Sequence, residues 1–343
     1  PPTIAGMVLT YRGKYLLGGL LTAVFVALQI VSNHVQMSYY FLFVMLFMAV
    51  AFGVMAYQKK EMPKFLKATG VLALAGILGV CINLSNLYHT YEYSKETMRG
   101  KSELVKPDSH NQTKSGLERD YITQWSYGIG ETFSLLVPNV KGGASVPLAA
   151  NEKAMEKANP MYNSIYSQIG QYWGEQPGTS GPVYVGAFVM FLFIWGLFIV
   201  KGPMKWALLG ATLLSVLLSW GKNFMGFTDF FLDYIPMYDK FRAVSSILVI
   251  AEFTIPLLAL LALKEVIARP QLIKEQAKAF YISLGLTGGV ALLFAVAPGF
   301  FFPSYVSSME MQALQGIPGD QLVPLLANLE EVRKSIFTSD AWR

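Results

Sequence analysis

Long apolar runs separated by short polar connections dominate the sequence. Seven runs of roughly 20 residues are each long enough for a helix that crosses a hydrocarbon core of about 30 Å. These runs cover residues 15–32, 39–57, 65–88, 182–200, 204–220, 247–267 and 279–302. The pattern predicts an all-α membrane protein, a polytopic bundle of about seven transmembrane helices.

The polar stretches between the runs divide the chain into four predicted parts. Residues 1–88 hold transmembrane helices one to three, 89–181 form a large loop, 182–302 hold helices four to seven with an outer segment at 221–246, and 303–343 form a tail. Apolar residues recur at helical spacing over residues 319–337 of the tail, which predicts an amphipathic helix there.

Charge distribution predicts which way the spans point. Twelve Lys and Arg residues lie before the first span and in segments 58–67, 201–205 and 264–278, where they are accompanied by only three acids. Short basic connections face the cytoplasm in multi-pass proteins. The loop at 89–181, the outer segment and the tail are therefore predicted to be extracytoplasmic.

Composition excludes some classes of function. The chain is 53% hydrophobic and carries a net charge of +5, but its basic residues are spread among the apolar runs rather than gathered in one stripe. This distribution predicts no nucleic-acid partner. Cys81 is the only cysteine, and the three histidines form no close-spaced motif, so no metal site is predicted.

Glu252 is the one carboxylate predicted to lie near the middle of the membrane. A charged residue at that depth is costly, which makes it a functional candidate by default. Pro256 has no N–H to donate to the Glu252 carbonyl, so a kink and a polar pocket are expected together. The alternative is that Glu252 pairs with Ser, Thr or Tyr of a neighbouring helix and serves packing alone.

Histidines and cations mark the outer ends of the predicted spans. His34 and His89 are placed to meet a substrate or, alternatively, to form interfacial hydrogen bonds. Arginine is well shaped to hold a phosphate, and lysine supplies a point charge. The cationic candidates are Arg99, Lys222, Lys240 and Arg242. Their alternative role is an ion pair with a nearby acid, such as Asp233 or Asp239 for Arg242.

Aromatic residues and glycines are concentrated in residues 120–143 and again in 171–186. Trp125 and Tyr127 supply planes and a hydroxyl that suit sugar rings or lipid headgroups, and glycines let backbone approach a ligand closely. The alternative is that both segments cap the helix bundle, with the glycines serving turns.

Several of these segments resemble one family of bacterial membrane proteins. LQIVSNHVQMSYYF, TMRGKSEL, GLERDYITQWSYGIGETFSLLVPNVKGG, YWGEQPGTSGPVYVG, LSWGKNF and IPMYDKFRAVSS are similar to the Bacteroidetes branch of the YfhO family. The likeness covers nearly the whole chain in the same order. It implies a GT-C-like fold in a bacterial cytoplasmic (inner) membrane, and the chain corresponds to an internal piece of the family's membrane domain.

The resemblance implies a glycosyltransferase on the extracytoplasmic face. The implied donor is a polyprenyl-phosphate-linked sugar, and the implied acceptor is a cell-envelope glycopolymer or glycoconjugate. Such a displacement needs a carboxylate for the acceptor proton and cations for the phosphate. The family's catalytic acid is expected in a loop that precedes Pro1, so Glu131, Asp120 and Glu92 are stand-ins. No cofactor is implied with certainty, and the need for a divalent metal stays open.

Two other functions stay open beside the enzyme. A transporter or flippase of lipids or solutes would use Glu252 and the Pro256 kink as its site near the middle of the membrane. A noncatalytic membrane scaffold would use the outer loops to hold a partner complex. Membrane lipids are expected to contact the chain in all three cases.

Overall fold

The computed structural model describes residues 1–100, 110–113 and 116–343. This described part consists of α-helices, short 3-10 turns, one π-helical segment at Gly285–Gly289 and connections, and its one β-bridge is an isolated pair between Pro147 and Gly170. The all-α prediction is therefore confirmed.

The helices differ greatly in length. In the first half of the chain they are α1 (Pro2–Tyr11), α2 (Tyr15–Val31), α3 (Val35–Gln58), α4 (Met62–Cys81), α5 (Leu84–Lys95), α6 (Arg119–Thr123), α7 (Glu152–Met155) and α8 (Asn163–Tyr166). In the second half they are α9 (Ala187–Ile199), α10 (Met204–Ser219), α11 (Met225–Tyr234), α12 (Val249–Ala268), α13 (Leu272–Glu275), α14 (Ala277–Leu284), α15 (Val290–Val296), α16 (Pro298–Phe301), α17 (Ser308–Leu314) and α18 (Gly319–Ala341).

Four stretches of the described chain are long and apolar enough to cross a membrane. They are Val35–Gln58, Met62–Cys81, Val244–Ala268 and Ala277–Val296. A fifth is formed if α10 and the following stretch Gly221–Tyr234, which bends away by 109°, are counted as one span. These stretches indicate a membrane protein, with four or five candidate spans in place of the seven predicted. The apolar runs at 15–32 and 182–200 form the shorter helices α2 and α9.

Local sequence explains where the helices depart from the predicted runs. Helix α9 begins only after Gly186, whose φ of +100° is a left-handed conformation that ends the preceding connection. The run at 65–88 is split between α4 and α5 at Asn83, whose side-chain amide donates to the Ala27 carbonyl at 3.1 Å. The last predicted run extends to residue 302, but the helix that it forms ends at Val296, because Pro298 begins a new short helix.

The chain forms two compact units, each built from three separate stretches. Unit 1 contains Pro1–Thr123, Val200–Leu218 and Met225–Thr254. Unit 2 contains Gln124–Ile199, Ser219–Phe224 and Ile255–Arg343. Each unit thus combines apolar helices with polar segments, whereas the predicted four-part division separates them by polarity.

The core of unit 1 is built on one face of α3. Tyr40, Val44 and Met48 follow one another at four-residue spacing and are buried in a cluster with Ile247 and Ile250. This spacing places side chains on one side of a helix. The opposite side of α3 keeps Leu42 and Leu46 exposed, as expected for a helix that faces lipid.

Helices α1 and α2 approach closely through small residues. The Thr10 hydroxyl donates to the Gly6 carbonyl at 2.9 Å, and the Thr22 hydroxyl donates to the Gly18 carbonyl at 2.8 Å. Both buried hydroxyls at this contact therefore have a hydrogen-bond partner. A Cβ added to Gly18 would lie 2.6 Å from the Thr10 nitrogen and 2.7 Å from the Gly6 oxygen. Both atoms belong to backbone, which cannot move away easily.

Gly18→Val is therefore expected to force α1 and α2 apart. Overpacking of this kind lowers the free energy of unfolding by about 1–3 kcal/mol. Thermal unfolding of the detergent-solubilised protein measures the loss. Gly76→Val on α4 is the matched control, because a Cβ added there meets no atom within 4 Å. Equal losses in the two variants would contradict the close contact.

Helix α18 organises one core of unit 2. Leu325, Leu329, Val332 and Ile336 lie on its buried face and pack in a cluster that contains Tyr166. The amphipathic helix predicted for residues 319–337 is confirmed, and it continues to Ala341.

Arg333 lies on the same buried face of α18. Its guanidinium donates two hydrogen bonds to the Glu310 carboxylate, one of them at 2.8 Å, and one to the Tyr305 carbonyl at 2.7 Å. A further bond reaches the Gly170 carbonyl, and the guanidinium carbon lies 5.5 Å from the centre of the Trp173 ring. Arg333 therefore joins α18 to three other segments of unit 2.

Candidate functional site

Three segments of unit 2 that are rich in aromatic residues and glycine converge on one place. They are residues 125–143, 171–178 and 220–223. The Trp125 indole donates to the Gly178 carbonyl at 3.2 Å, and the Trp220 indole donates to the Thr132 hydroxyl at 2.8 Å. We call the region where they meet the Glu131 site, after the buried acid at its centre.

Glu131 lies in the 3-10 turn Gly130–Leu135 and is only 3% exposed. One carboxylate oxygen accepts from the Tyr172 hydroxyl at 2.6 Å and the Gln176 amide at 3.3 Å. The other accepts from the backbone N–H of Gly128 at 2.9 Å and of Glu175 at 3.4 Å. Since a carboxylate has about four lone-pair positions, this one is saturated. Glu131 holds the first two segments together.

Two other ionisable groups border Glu131. The pKa of Tyr172 is raised well above its usual range, mainly by burial and secondly by the nearby Glu131 carboxylate. The Tyr172 hydroxyl therefore stays protonated and acts as a donor. Burial lowers the pKa of Lys141, while the carboxylates of Glu131 and Glu175 oppose this shift. The Lys141 ammonium also lies 5.0 Å from the centre of the Phe302 ring.

A small cavity opens beside Glu131. Polar groups from Tyr127, Ser134, Lys141 and Tyr172 line it, and it has room for about one water molecule. Tyr127 is buried, and its hydroxyl lies 2.6 Å from the Ser134 hydroxyl. The ring predicted to face a sugar is thus covered by protein, and Tyr127 contributes to the wall of the site.

Lys222 and Glu175 lie at the exposed rim of the site. The Lys222 backbone N–H donates to the Ser126 hydroxyl at 2.9 Å, and its ammonium donates to the Glu175 carbonyl at 3.4 Å. Glu175 is thereby held through its backbone at both the N–H and the carbonyl. Its carboxylate is exposed and accepts no hydrogen bond from any residue that the structure describes. An exposed carboxylate on an anchored backbone and an ammonium therefore share the rim.

The other predicted cations meet in unit 1. The Arg99 guanidinium donates to the Lys240 carbonyl at 3.1 Å, and the Lys240 ammonium donates to the Arg99 carbonyl at 2.9 Å. Arg242 donates to the Tyr121 hydroxyl at 2.6 Å, and its guanidinium carbon lies 5.5 Å from the centre of that ring. Arg242 is held in turn by Gln36, whose amide donates to its carbonyl at 2.7 Å.

The acid Asp233, a predicted partner of Arg242, is bound by another arginine. Arg119 donates to Asp233 at 2.9 Å, and its second terminal nitrogen lies 3.6 Å from Asp229. The Arg119 side chain is largely buried, so this ion pair fixes α6 against α11. Sequence analysis did not single out Arg119.

Two of the three predicted acids lie on the surface of unit 1. Asp120 is exposed in α6, where its backbone N–H donates to the Asn111 side chain at 3.0 Å. Glu92 is on α5 and forms an ion pair with Lys95 at 2.7 Å. Of the three acids, Glu131 alone lies beside the polar cavity.

His34 and His89, predicted at the ends of helices, are both exposed, but His89 lies in the middle of α5 and the prediction is wrong for it. His34 directly precedes α3, and His89 lies on α5 with its ring 5.6 Å from the Tyr88 ring. Across the described residues, no group of three or more His, Cys, Asp or Glu side chains is arranged to hold a metal ion.

Glu252 is exposed on α12, and the helix continues through Pro256. No hydrogen bond or ion pair joins its carboxylate to a residue in the described ranges. The predicted pairing with Ser, Thr or Tyr of a neighbouring helix is therefore absent there. The nearby Thr254 instead faces inward, and its hydroxyl lies 2.7 Å from that of Thr212.

Sequence reasoning missed Lys141, Tyr172, Glu175 and Gln176 as parts of the site. All four stand in the two aromatic, glycine-rich segments, so the shared composition of these segments was the available signal. Comparisons with protein-family models, with curated proteins and with solved structures found no match.

Proposed function

We propose that this protein transfers a sugar from a polyprenyl-phosphate donor to a hydroxyl of a cell-envelope acceptor. The observation that carries the proposal is that Lys222 meets the segment of Trp125 and Glu131 at one site in unit 2, although it stands about ninety residues later in the sequence. A partly exposed aromatic ring, a cation and carboxylates are the groups that such a transfer uses.

The proposed step is an inverting displacement at the sugar. The acceptor oxygen attacks the anomeric carbon, the bond from that carbon to the phosphate oxygen breaks, and the phosphate leaves with the electron pair. The Lys222 ammonium offsets the charge that develops on the phosphate. The acceptor proton passes to the carboxylate of Glu175, which has lone pairs available.

Glu131 serves as a positioning residue in this proposal. Its oxygens are already taken by four donors, which leaves no open lone pair for the acceptor. One of those donors is the backbone N–H of Glu175, so Glu131 fixes the residue that takes the proton. Sequence analysis gave Glu131 the role of the acid, and the hydrogen bonds favour its exposed neighbour.

The cations of unit 1 form a second part of the proposal. Arg99 and Arg242 would hold anionic lipid phosphates at the membrane surface, because Arg242 is exposed and lies over an aromatic ring that limits its motion. Lys240 supports Arg99 through their reciprocal contacts.

Lys222→Met and Arg242→Ala are each expected to weaken binding of polyprenyl phosphate. A hydrogen bond to a charged group contributes about 1.5–3 kcal/mol, which corresponds to roughly tenfold to hundredfold in affinity. Binding is measured by crosslinking a photoreactive polyprenyl phosphate to the purified protein. Transfer is measured by following radiolabelled glucose from the same lipid to an acceptor.

Arg269→Ala is the matched control, because Arg269 lies on the predicted cytoplasmic side in a surface pair with Glu265. Unchanged lipid binding in both Lys222→Met and Arg242→Ala would contradict the proposal. Loss of function in Glu252→Gln with normal lipid binding in both cation variants would instead favour transport.

Transport has less support from the side chains around Glu252. A coupling-ion site gathers several polar groups near the middle of the membrane. The Glu252 carboxylate is exposed and has no polar partner among the described residues.

A further inference from the structure

One face of α12 combines an acid with exposed apolar residues. Glu252 and Leu260 are exposed on this face, and Val249 and Pro256 between and beside them are partly exposed. They recur every three or four residues, so they line one side of the helix. We call these four residues the Glu252 face.

The Glu252 face lies deep within a candidate span. The apolar stretch runs over Val244–Ala268 and its middle residue is Pro256. Glu252 is one turn away, about 6 Å along the axis at about 1.5 Å per residue. A carboxylate at that depth is expensive unless it is paired, and no described residue of the chain pairs with it.

We infer that the Glu252 face is the docking surface for a transmembrane helix that carries Lys or Arg at the matching depth. Charge complementarity selects this partner, because an ammonium or guanidinium supplies both the opposite charge and the hydrogen-bond donors that the carboxylate lacks. The apolar residues Val249, Pro256 and Leu260 supply the packing surface around the pair.

A second copy of the chain fits this face less well. In a two-fold dimer the same patch meets itself, so Glu252 would approach its own copy. Like charges placed opposite one another disfavour an interface. The Glu252 face therefore favours a different helix, and dimerisation is an outcome that the experiment can detect.

The test uses two synthetic transmembrane peptides made mainly of leucine. One carries a single Lys about 6 Å from its centre, and the other has Leu at that position. Fluorescence energy transfer measures their binding to the full chain in phosphatidylcholine vesicles. The Lys peptide is expected to bind about tenfold more tightly than the Leu peptide, and Glu252→Leu should remove the difference.

Two further variants locate the surface. Leu260→Trp on the Glu252 face is expected to weaken binding of the Lys peptide, whereas Leu46→Trp on the exposed side of α3 should leave it unchanged. Both leucines are about equally exposed, at 62% and 61%, so neither change disturbs a core.

Three results would overturn the inference. Equal binding of both peptides to the unaltered chain would show that the acid selects no cation. Self-association of the unaltered chain that Leu260→Trp removes would assign the face to a second copy. Cys81 is exposed, so the last test replaces it with Ala. Labelling of Glu252→Cys in that Cys81→Ala protein by a membrane-impermeant maleimide would show that water reaches the site, and no helix would then be needed to cover it.

Discussion

Arg333→Met is expected to lower the free energy of unfolding by roughly 3–5 kcal/mol, because it removes one partner of a buried ion pair. Arg333 is fully buried, and the Glu310 carboxylate would be left without its cation. The carbonyls of Tyr305 and Gly170 would lose their donor at the same time. Methionine keeps much of the side-chain volume, so the loss reports on polar contacts more than on a cavity.

Chemical or thermal unfolding of the protein in detergent measures this loss. Lys334→Met is the matched control, since Lys334 follows on the same helix and is only partly buried. Adding Glu310→Gln to Arg333→Met should restore part of the stability, because the stranded charge is removed. If Arg333→Met and Lys334→Met unfold at the same temperature, the network contributes little.

Glu175→Gln is expected to slow sugar transfer by about a hundredfold to ten-thousandfold, the range in which a general base contributes. The substitution keeps the shape of the side chain and the backbone contacts of Glu175 to Glu131 and Lys222. Binding of polyprenyl phosphate should therefore stay within about twofold, because Lys222 is unaltered. Transfer of radiolabelled glucose and photoreactive lipid binding measure the two effects separately.

Two other glutamates serve as comparisons. Glu131→Gln should act mainly on stability, because a donor group would replace one oxygen that now accepts hydrogen bonds. Glu152→Gln, an exposed change on α7, should alter neither stability nor transfer. Full transfer activity in Glu175→Gln would remove Glu175 from the proposed reaction while leaving the lipid-binding proposal in place.

Hydropathy and helical spacing located the helices well, because apolar side chains must either be buried in protein or face lipid along the whole length of a helix. Residues 39–57 lie within α3, and residues 319–337 lie within α18. Helix ends were harder to predict, since they depend on single residues such as Gly186. The predicted end of the run at residue 220 agrees with the end of α10 at Ser219, but the 109° bend that follows at Gly221, whose φ is +43°, is not encoded in hydropathy.

The candidate site shows what local sequence can and cannot reveal. Composition indicated Trp125, Glu131 and Lys222, because aromatic, acidic and basic residues stand out in an apolar chain. It could not show that Glu131 accepts from Tyr172, about forty residues later, or that Arg333 pairs with Glu310. Such partners are chosen by tertiary contacts, and they decide whether an acid is available for chemistry.

The interleaving of the two units along the chain has a consequence for biosynthesis. Unit 1 needs residues up to Thr254, and unit 2 needs residues from Gln124 to the end of α18, so neither unit is complete when the ribosome has made the first half. No single proteolytic nick releases one intact unit from the other. Truncated products should therefore be degraded, and attempts to express either half separately should yield unfolded protein.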